Sequence, residues 1–187
     1  MKRLLIVLLL IIPLFVKAQV EHAEFMGVPI DGNIVKFKKQ LVKRWNDMNP
    51  KNKIKIKYFF DRTTEQGYSI SCIDGFYGDI QEIVIYYDTN SGNVYEVRME
   101  VCAKNEEHMH KLFNKYRAMM IEEYDYGPPF DLKNKGNNTF MQVIPNKTGT
   151  KHVGVVEIDE SNHPLCGYSI SIYYTDDENA RKYNNIN

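Results

Sequence analysis

The stretch Asn105-Glu106-Glu107-His108-Met109-His110-Lys111-Leu112-Phe113-Asn114-Lys115-Tyr116-Arg117-Ala118-Met119-Met120 decides how the chain is read. Met109, Leu112, Phe113, Tyr116 and Met120 recur at spacings of three, one, three and four, which places them on one face of an α-helix. Asn105 is suited to capping the first turn, where Glu106 and Glu107 meet the positive end of the helix dipole. Gly127-Pro128-Pro129 cannot continue a helix, so the element stops near Tyr124.

On either side the hydrophobic period falls to two. Before the helix, strands are predicted from Gly67 to Ile73, from Glu82 to Tyr87 and from Val94 to Cys102. The last two are joined by Asp88-Thr89-Asn90-Ser91-Gly92-Asn93, a turn-rich hexamer suited to a hairpin. After the helix, strands are predicted from Thr139 to Ile144, from His152 to Ile158 and from Leu165 to Tyr174, before a polar tail expected to fray. Further upstream, Ile54, Ile56, Tyr58 and Phe60 alternate with Lys55, Lys57 and Phe59. Before them, Ile34, Phe37, Leu41 and Trp45 share a helical face that Asp31 is placed to cap and Asn49-Pro50 ends. The order helix, strands, helix, strands predicts an α+β fold of two tandem helix-plus-antiparallel-sheet units, about 30–102 and 105–175. Together they form one compact domain over 19–187. The strings Gly67-Tyr68-Ser69-Ile70-Ser71 and Gly167-Tyr168-Ser169-Ile170-Ser171 are identical, but they lie at different distances from their helices and read as similar strands, not aligned repeat positions.

At the front of the chain, Lys2 and Arg3 precede an apolar run from Leu4 to Val16, and Val16-Lys17-Ala18 ends in a small residue. That is the pattern of a secretory signal peptide, 1–18, and at thirteen residues with Pro13 inside the run is short for a membrane span. Export, with cleavage near Ala18 and a periplasmic or extracellular destination, is the expectation. Removing the leader leaves 21 basic against 24 acidic side chains, a balance that argues against a nucleic-acid binder. The lysines gathered between Lys36 and Lys57 fit the wet face of a helix and an edge strand. Of the three cysteines, Cys72 and Cys102 are the favoured pair if a bridge forms, with three buried thiols the alternative.

Three motifs carry a resemblance. Phe25-Met26-Gly27-Val28-Pro29-Ile30-Asp31-Gly32, Tyr124-Asp125-Tyr126-Gly127-Pro128-Pro129 and Ile172-Tyr173-Tyr174-Thr175-Asp176 are similar to segments of small secreted Bacteroidetes proteins of unknown function. Those proteins resemble the beta-lactamase inhibitor protein in architecture. Over residues 25–176 the resemblance implies two tandem repeats forming a concave sheet surface, and no reaction.

Motifs for chemistry are weak. His108 and His110 stand about 200° apart around a helix and cannot share a metal. Glu106 with His110 supplies two ligands where zinc takes three or four. His152 and His163 have no nucleophile pattern beside them. The hexamer at Asp88 lacks the glycine and glutamate positions of a calcium loop. Glu122-Glu123 and Asp176-Asp177 are adjacent in sequence, with nothing to fix the carboxylate separation that sugar hydrolysis needs. Asn137-Asn138-Thr139 and Asn146-Lys147-Thr148 match the glycosylation sequon, which matters only in a eukaryotic secretory pathway. No cofactor, metal or catalytic residue is therefore assigned.

Strand alternation supplies the remaining expectation. With Ile83, Ile85, Val97, Met99 and Val101 turned inward, Val84, Tyr86, Glu96, Arg98, Glu100, Ser169, Ser171 and Tyr173 face away from the helices. Phe59, Tyr86, Glu96, Arg98 and Tyr173 would form a binding surface with the tyrosine and arginine content of protein interfaces. The sequence thus favours a non-enzymatic protein binding a protein partner, with an envelope polymer or glycan hydrolase and a small-ligand carrier as alternatives.

Overall fold

The structure is a computed structural model that describes residues 21–48, 59–64, 67–73, 80–125, 127–134, 137–163 and 166–184. The leader, 1–18, and the strand positions 54–58 lie outside the described residues. The chain is α+β. A small hairpin, β1 (Glu24–Phe25) and β2 (Val28–Pro29), precedes β3 (Gly32–Asn33) and helix α1 (Ile34–Met48). Four strands follow: β4 (Phe59–Thr64), β5 (Gly67–Ile73), β6 (Ile80–Tyr87) and β7 (Asn93–Cys102). Helix α2 (Glu106–Glu123) leads into β8 (Phe130–Asn134), β9 (Asn137–Pro145), β10 (His152–His163) and β11 (Gly167–Asp176). A third helix, α3 (Asp177–Asn184), closes the described chain.

Each group of four strands is an antiparallel meander, and the two meanders are zipped into one sheet in the order β4-β5-β6-β7-β11-β10-β9-β8. The seam is β7 against β11, with Arg98 opposite Tyr173 and Glu100 opposite Ser171. The repeated pentapeptides occupy different ranks in the two meanders, β5 and β11, as their spacing indicated.

One face of the sheet carries the main core. Ile83, Ile85, Val97, Met99, Val101, Val156, Ile158, Ile170 and Ile172 meet the buried faces of both long helices there. In α2 the buried set is Met109, Leu112, Phe113, Tyr116 and Met120, the stripe read from the sequence, and Asn105 Oδ1 accepts from the His108 amide at 2.8 Å. In α1, Ile34, Phe37 and Leu41 are buried; the Trp45 side chain lies outside the described residues. Asp31 does not cap α1. Asn33 Oδ1 takes the Val35 amide at 2.9 Å, two residues closer to the helix, while Asp31 pairs with Lys36 at 3.2 Å.

Two further expectations are corrected. Cys102 is bonded to Cys166, not to Cys72, with Cα atoms 5.8 Å apart. The register explains the choice: Cys72 lies opposite Ile83, which lies opposite Met99, so Cys72 is two strands and three residues away from Cys102. That amounts to more than about 10 Å, beyond the span of a disulfide. The polar tail does not fray into solvent. It forms α3 because Asp176, fully buried, caps it by accepting the Asn179 amide at 2.9 Å, and Asn179 in turn donates to the carbonyls of Ile30 and Val94. Asp177 and Glu178 open the helix and Arg181 and Lys182 close it, matching its dipole.

Replacing Asp176 by Ala would leave the Ala23 and Asn179 amides without their acceptor. The expected cost is about 3 kcal/mol in chemical denaturation, with α3 released from the sheet. Alkylation of the unreduced, denatured protein should label Cys72 alone, and Cys102→Ser should lower stability by about 4 kcal/mol through the long loop it opens.

Candidate functional site on the outer sheet face

The face turned away from the two long helices is built by the same strand alternation that buries the core. Val84, Tyr86 and Tyr95 form a second buried cluster on it, and Ala180 and Tyr183 of α3 pack against them. Tyr95 belongs to this face because of a bulge. Tyr86 pairs with Glu96 but Tyr87 pairs with Val94, so Tyr95 and Glu96 are both turned outward. The Tyr95 ring then stacks on Tyr183 with centroids 4.4 Å apart, and burial pushes its hydroxyl well above the usual tyrosine range.

Of the five residues expected to form a surface, four converge here. Tyr86, Glu96, Arg98 and Tyr173 come from β6, β7 and β11 in adjacent register. Phe59 is in β4, but its side chain lies outside the described residues. Tyr86 faces the predicted way yet is only 3% exposed, because Arg98 lies over its ring at 5.9 Å and Tyr95 flanks it. Tyr86 therefore supports the surface from below. Arg98 Nε lies 3.3 Å from Glu100, the guanidinium meets the Tyr173 hydroxyl, and its charge also acts on Glu96. Beneath it runs a hydroxyl chain in which Ser171 Oγ donates to Glu100 Oε1 at 2.6 Å and shares hydrogen with Ser161 at 2.9 Å.

Beside this set is a groove of about 530 Å³ between α3 and the strands. Its lining includes Tyr95, Glu96, Glu157, Asp159, Tyr173 and Tyr183. Glu157 and Asp159 stand two apart on β10 and point the same way. Burial, the neighbouring Asp159 charge and the hydrogen bond between the two push Glu157 up to about 7, with Glu96 adding to the rise. Glu96 itself is raised by burial, against the Thr175 hydroxyl that donates to it at 3.2 Å. Oδ1 of Asp159 is enclosed, and no amide, hydroxyl or cation of the described residues reaches it. Glu157, Asp159, Tyr95 and Tyr183 were missed in the sequence, since β10 was placed without a facing, the segment that forms α3 was expected to fray, and the bulge inverts Tyr95.

The other chemistry-bearing residues are structural. His110 binds the buried Glu160 carboxylate, which also accepts from the amide and side chain of Asn138. Burial works to raise Glu160, but those hydrogen bonds prevail and hold it below the usual glutamate range. His22 meets Asp176 at 3.1 Å and His152 meets Asp177 at 3.1 Å. Asp88 shapes the predicted hairpin by accepting from the Asn90 and Ser91 amides and the Ser91 hydroxyl, and that hydroxyl foremost keeps its carboxyl low. Among the described residues no group of three acidic, histidine or cysteine side chains could hold a metal, and no helix is long and apolar enough to cross a membrane. A larger cavity of about 910 Å³ beside the β1–β2 hairpin has a charged wall of Glu21, Glu24, Glu123, Arg44 and Lys147.

No protein-family model, characterised protein or solved structure matches the chain.

Because Glu157 is raised from 4.5 to about 7, the folded state holds more protons than the unfolded state between those values. Stability should therefore fall as pH rises through that window. Glu157→Gln should remove this slope and raise stability at pH 8 by about 1 kcal/mol once solvent screening of the partly exposed pair is counted, with no gain at about pH 4. Urea titrations across pH check both signs.

Proposed function

We propose that this is an exported, periplasmic or extracellular, non-enzymatic protein that holds a protein partner on its outer sheet face. The observation that carries the reading is the groove that tyrosines from β7, β11 and α3 line together with the carboxylates of Glu96, Glu157 and Asp159. Tyrosine supplies large contact area at little entropic cost, and Tyr173 with Arg98 borders the groove in the manner of an interface hot spot. The leader pattern at 1–18 supports export, and the likeness of residues 25–176 to secreted proteins with a concave sheet supports the choice of face.

A second reading, a glycan or envelope-polymer hydrolase, draws on Glu157. A carboxyl near 7 is what a general acid needs at neutral pH. Its nearest carboxylate is hydrogen-bonded to it, however, and the two would have to stand about 5 to 9 Å apart to flank a glycosidic bond. The carrier reading asks for an apolar enclosure, and the larger cavity mixes charged side chains with Met26, Tyr124, Ile144 and Val153.

The test is site-specific photo-crosslinking. Benzoylphenylalanine replaces Tyr173 on the outer face in one protein and Lys111, on the exposed side of α2, in another, and each is irradiated in native envelope and culture fractions. One discrete adduct from position 173 and none from 111 is expected. Adducts from neither, or equally from both, overturn the reading. Turnover of an envelope glycan by the parent protein that is lost in Glu157→Gln would instead place the hydrolase first.

A further inference from the structure

We infer that the groove between α3 and strands β7, β11 and β10 is a receptacle for an arginine side chain projected by the protein partner. The inference rests on the outer-face reading and names the chemistry of the contact.

Three features of the groove converge on a planar cation. The first is charge. Glu96, Glu157 and Asp159 line one groove, and Arg98, whose charge acts on Glu96, is also engaged with Glu100 and Tyr173. Asp159 stands two residues from Glu157 on the same side of β10, and its charge, with burial, raises Glu157. Carboxylates crowded so that one resists ionisation mark a place where a fixed positive charge would be accepted. The second is Oδ1 of Asp159, an enclosed acceptor that no amide, hydroxyl or cation of the described residues reaches. A guanidinium carries five N–H donors in a flat fork and can satisfy it while still reaching Glu157. The third is the wall. The stacked pair Tyr95 and Tyr183 and the Tyr173 ring offer aromatic surface to a delocalised cation, which favours guanidinium over the compact, strongly hydrated ammonium of lysine.

The walls are held in place before any ligand arrives. Ala180 and Tyr183 are packed on the Val84, Tyr86 and Tyr95 cluster, and Asp176 and Asn179 fix the start of α3. A groove about 530 Å³ in volume admits one long side chain and its peptide neighbours, but not a folded element.

Binding an arginine would favour the ionised form of Glu157. Besides Asp159 on its own strand, the groups that face Glu157 are Tyr173 on β11, Glu96 on β7, and Tyr183 with Asn184 on α3. Within this set, Glu157 is the group raised to about 7, so affinity should rise from pH 5.5 to pH 8.

The probe is acetyl-Gly-Arg-Gly-amide, compared with the same peptide carrying citrulline, the neutral isostere of arginine. Each is titrated into the chain from Gln19 onward while backbone amide resonances are followed. The arginine peptide should shift the amides of Glu157, Tyr173 and Tyr183 saturably, and bind about fivefold or more tightly than the citrulline peptide at pH 8. The preference should shrink at pH 5.5 and vanish in Glu157→Gln, whose unperturbed spectrum elsewhere certifies its fold. Equal binding of the two peptides, an arginine effect indifferent to Glu157→Gln, or shifts centred on Glu21, Glu24 and Glu123 instead would overturn the inference. A crosslinked partner at position 173 together with an inert arginine peptide would overturn the arginine receptacle and leave the binding face standing. Failure of both would remove the face as well.

Discussion

The carboxylate of Asp176 ties together the two ends of the described chain. It stands at the end of β11, fully buried, and receives the Ala23 amide at 2.8 Å, the His22 ring at 3.1 Å and the Asn179 amide at 2.9 Å. One side chain thereby fastens the start of the described chain to its end and turns the last helix back over the sheet. A buried charge is costly unless every lone pair is used, and here backbone donors and a histidine use them. Asn179 extends the arrangement by reaching the carbonyls of Ile30 and Val94. The position of α3, and with it one wall of the groove, descends from these contacts. Gly154 adds a second constraint at the same place: a Cβ there would lie 2.2 Å from the Thr175 carbonyl and 2.8 Å from Ala23, so close approach of β10, β11 and the N-terminal segment needs glycine.

The groove is a product of the seam between the two meanders. Tyr95 and Glu96 come from the last strand of the first, and Glu157, Asp159 and Tyr173 from the last two strands of the second. Neither meander contains the site alone, although each has its own helix and strands. The hydroxyls of Ser161, Ser169 and Ser171 run along the same junction and stiffen it beside Arg98. The groove and the joining of the halves are thus built from the same residues, and loss of the seam would abolish both.

Much of the architecture was legible in periodicity. The α2 stripe, the Asn105 cap, the Asp88 hairpin and the inward set of β6 and β7 follow from local patterns, because for them local preference and tertiary packing agree. What escaped the sequence depends on long-range geometry. Alternation gave Tyr86 its facing but not its burial, which comes from Arg98 and α3 lying over it. A bulge at Tyr95 has no signature in the residues themselves. The order Asp176-Asp177-Glu178-Asn179 read as a solvated tail because its polar groups are satisfied by partners some 80 to 150 positions away in sequence. Cys102 and Cys72 looked like a pair because each sits in an apolar strand; only the register shows them out of reach.

The bridge between Cys102 and Cys166 carries a consequence for the chain's biogenesis. A polypeptide that emerges amino end first displays Cys72 and Cys102 together while Cys166 is still to come. During that interval the sulfhydryl partners at hand are the wrong ones, separated by 29 intervening residues. The correct partner arrives only when most of the second half has been delivered, just ahead of β11, so covalent closure is a late event. In an oxidising compartment, the yield of native protein would then be set by a race between premature coupling and the pairing of β7 with β11, and an isomerase would act as the referee of that race.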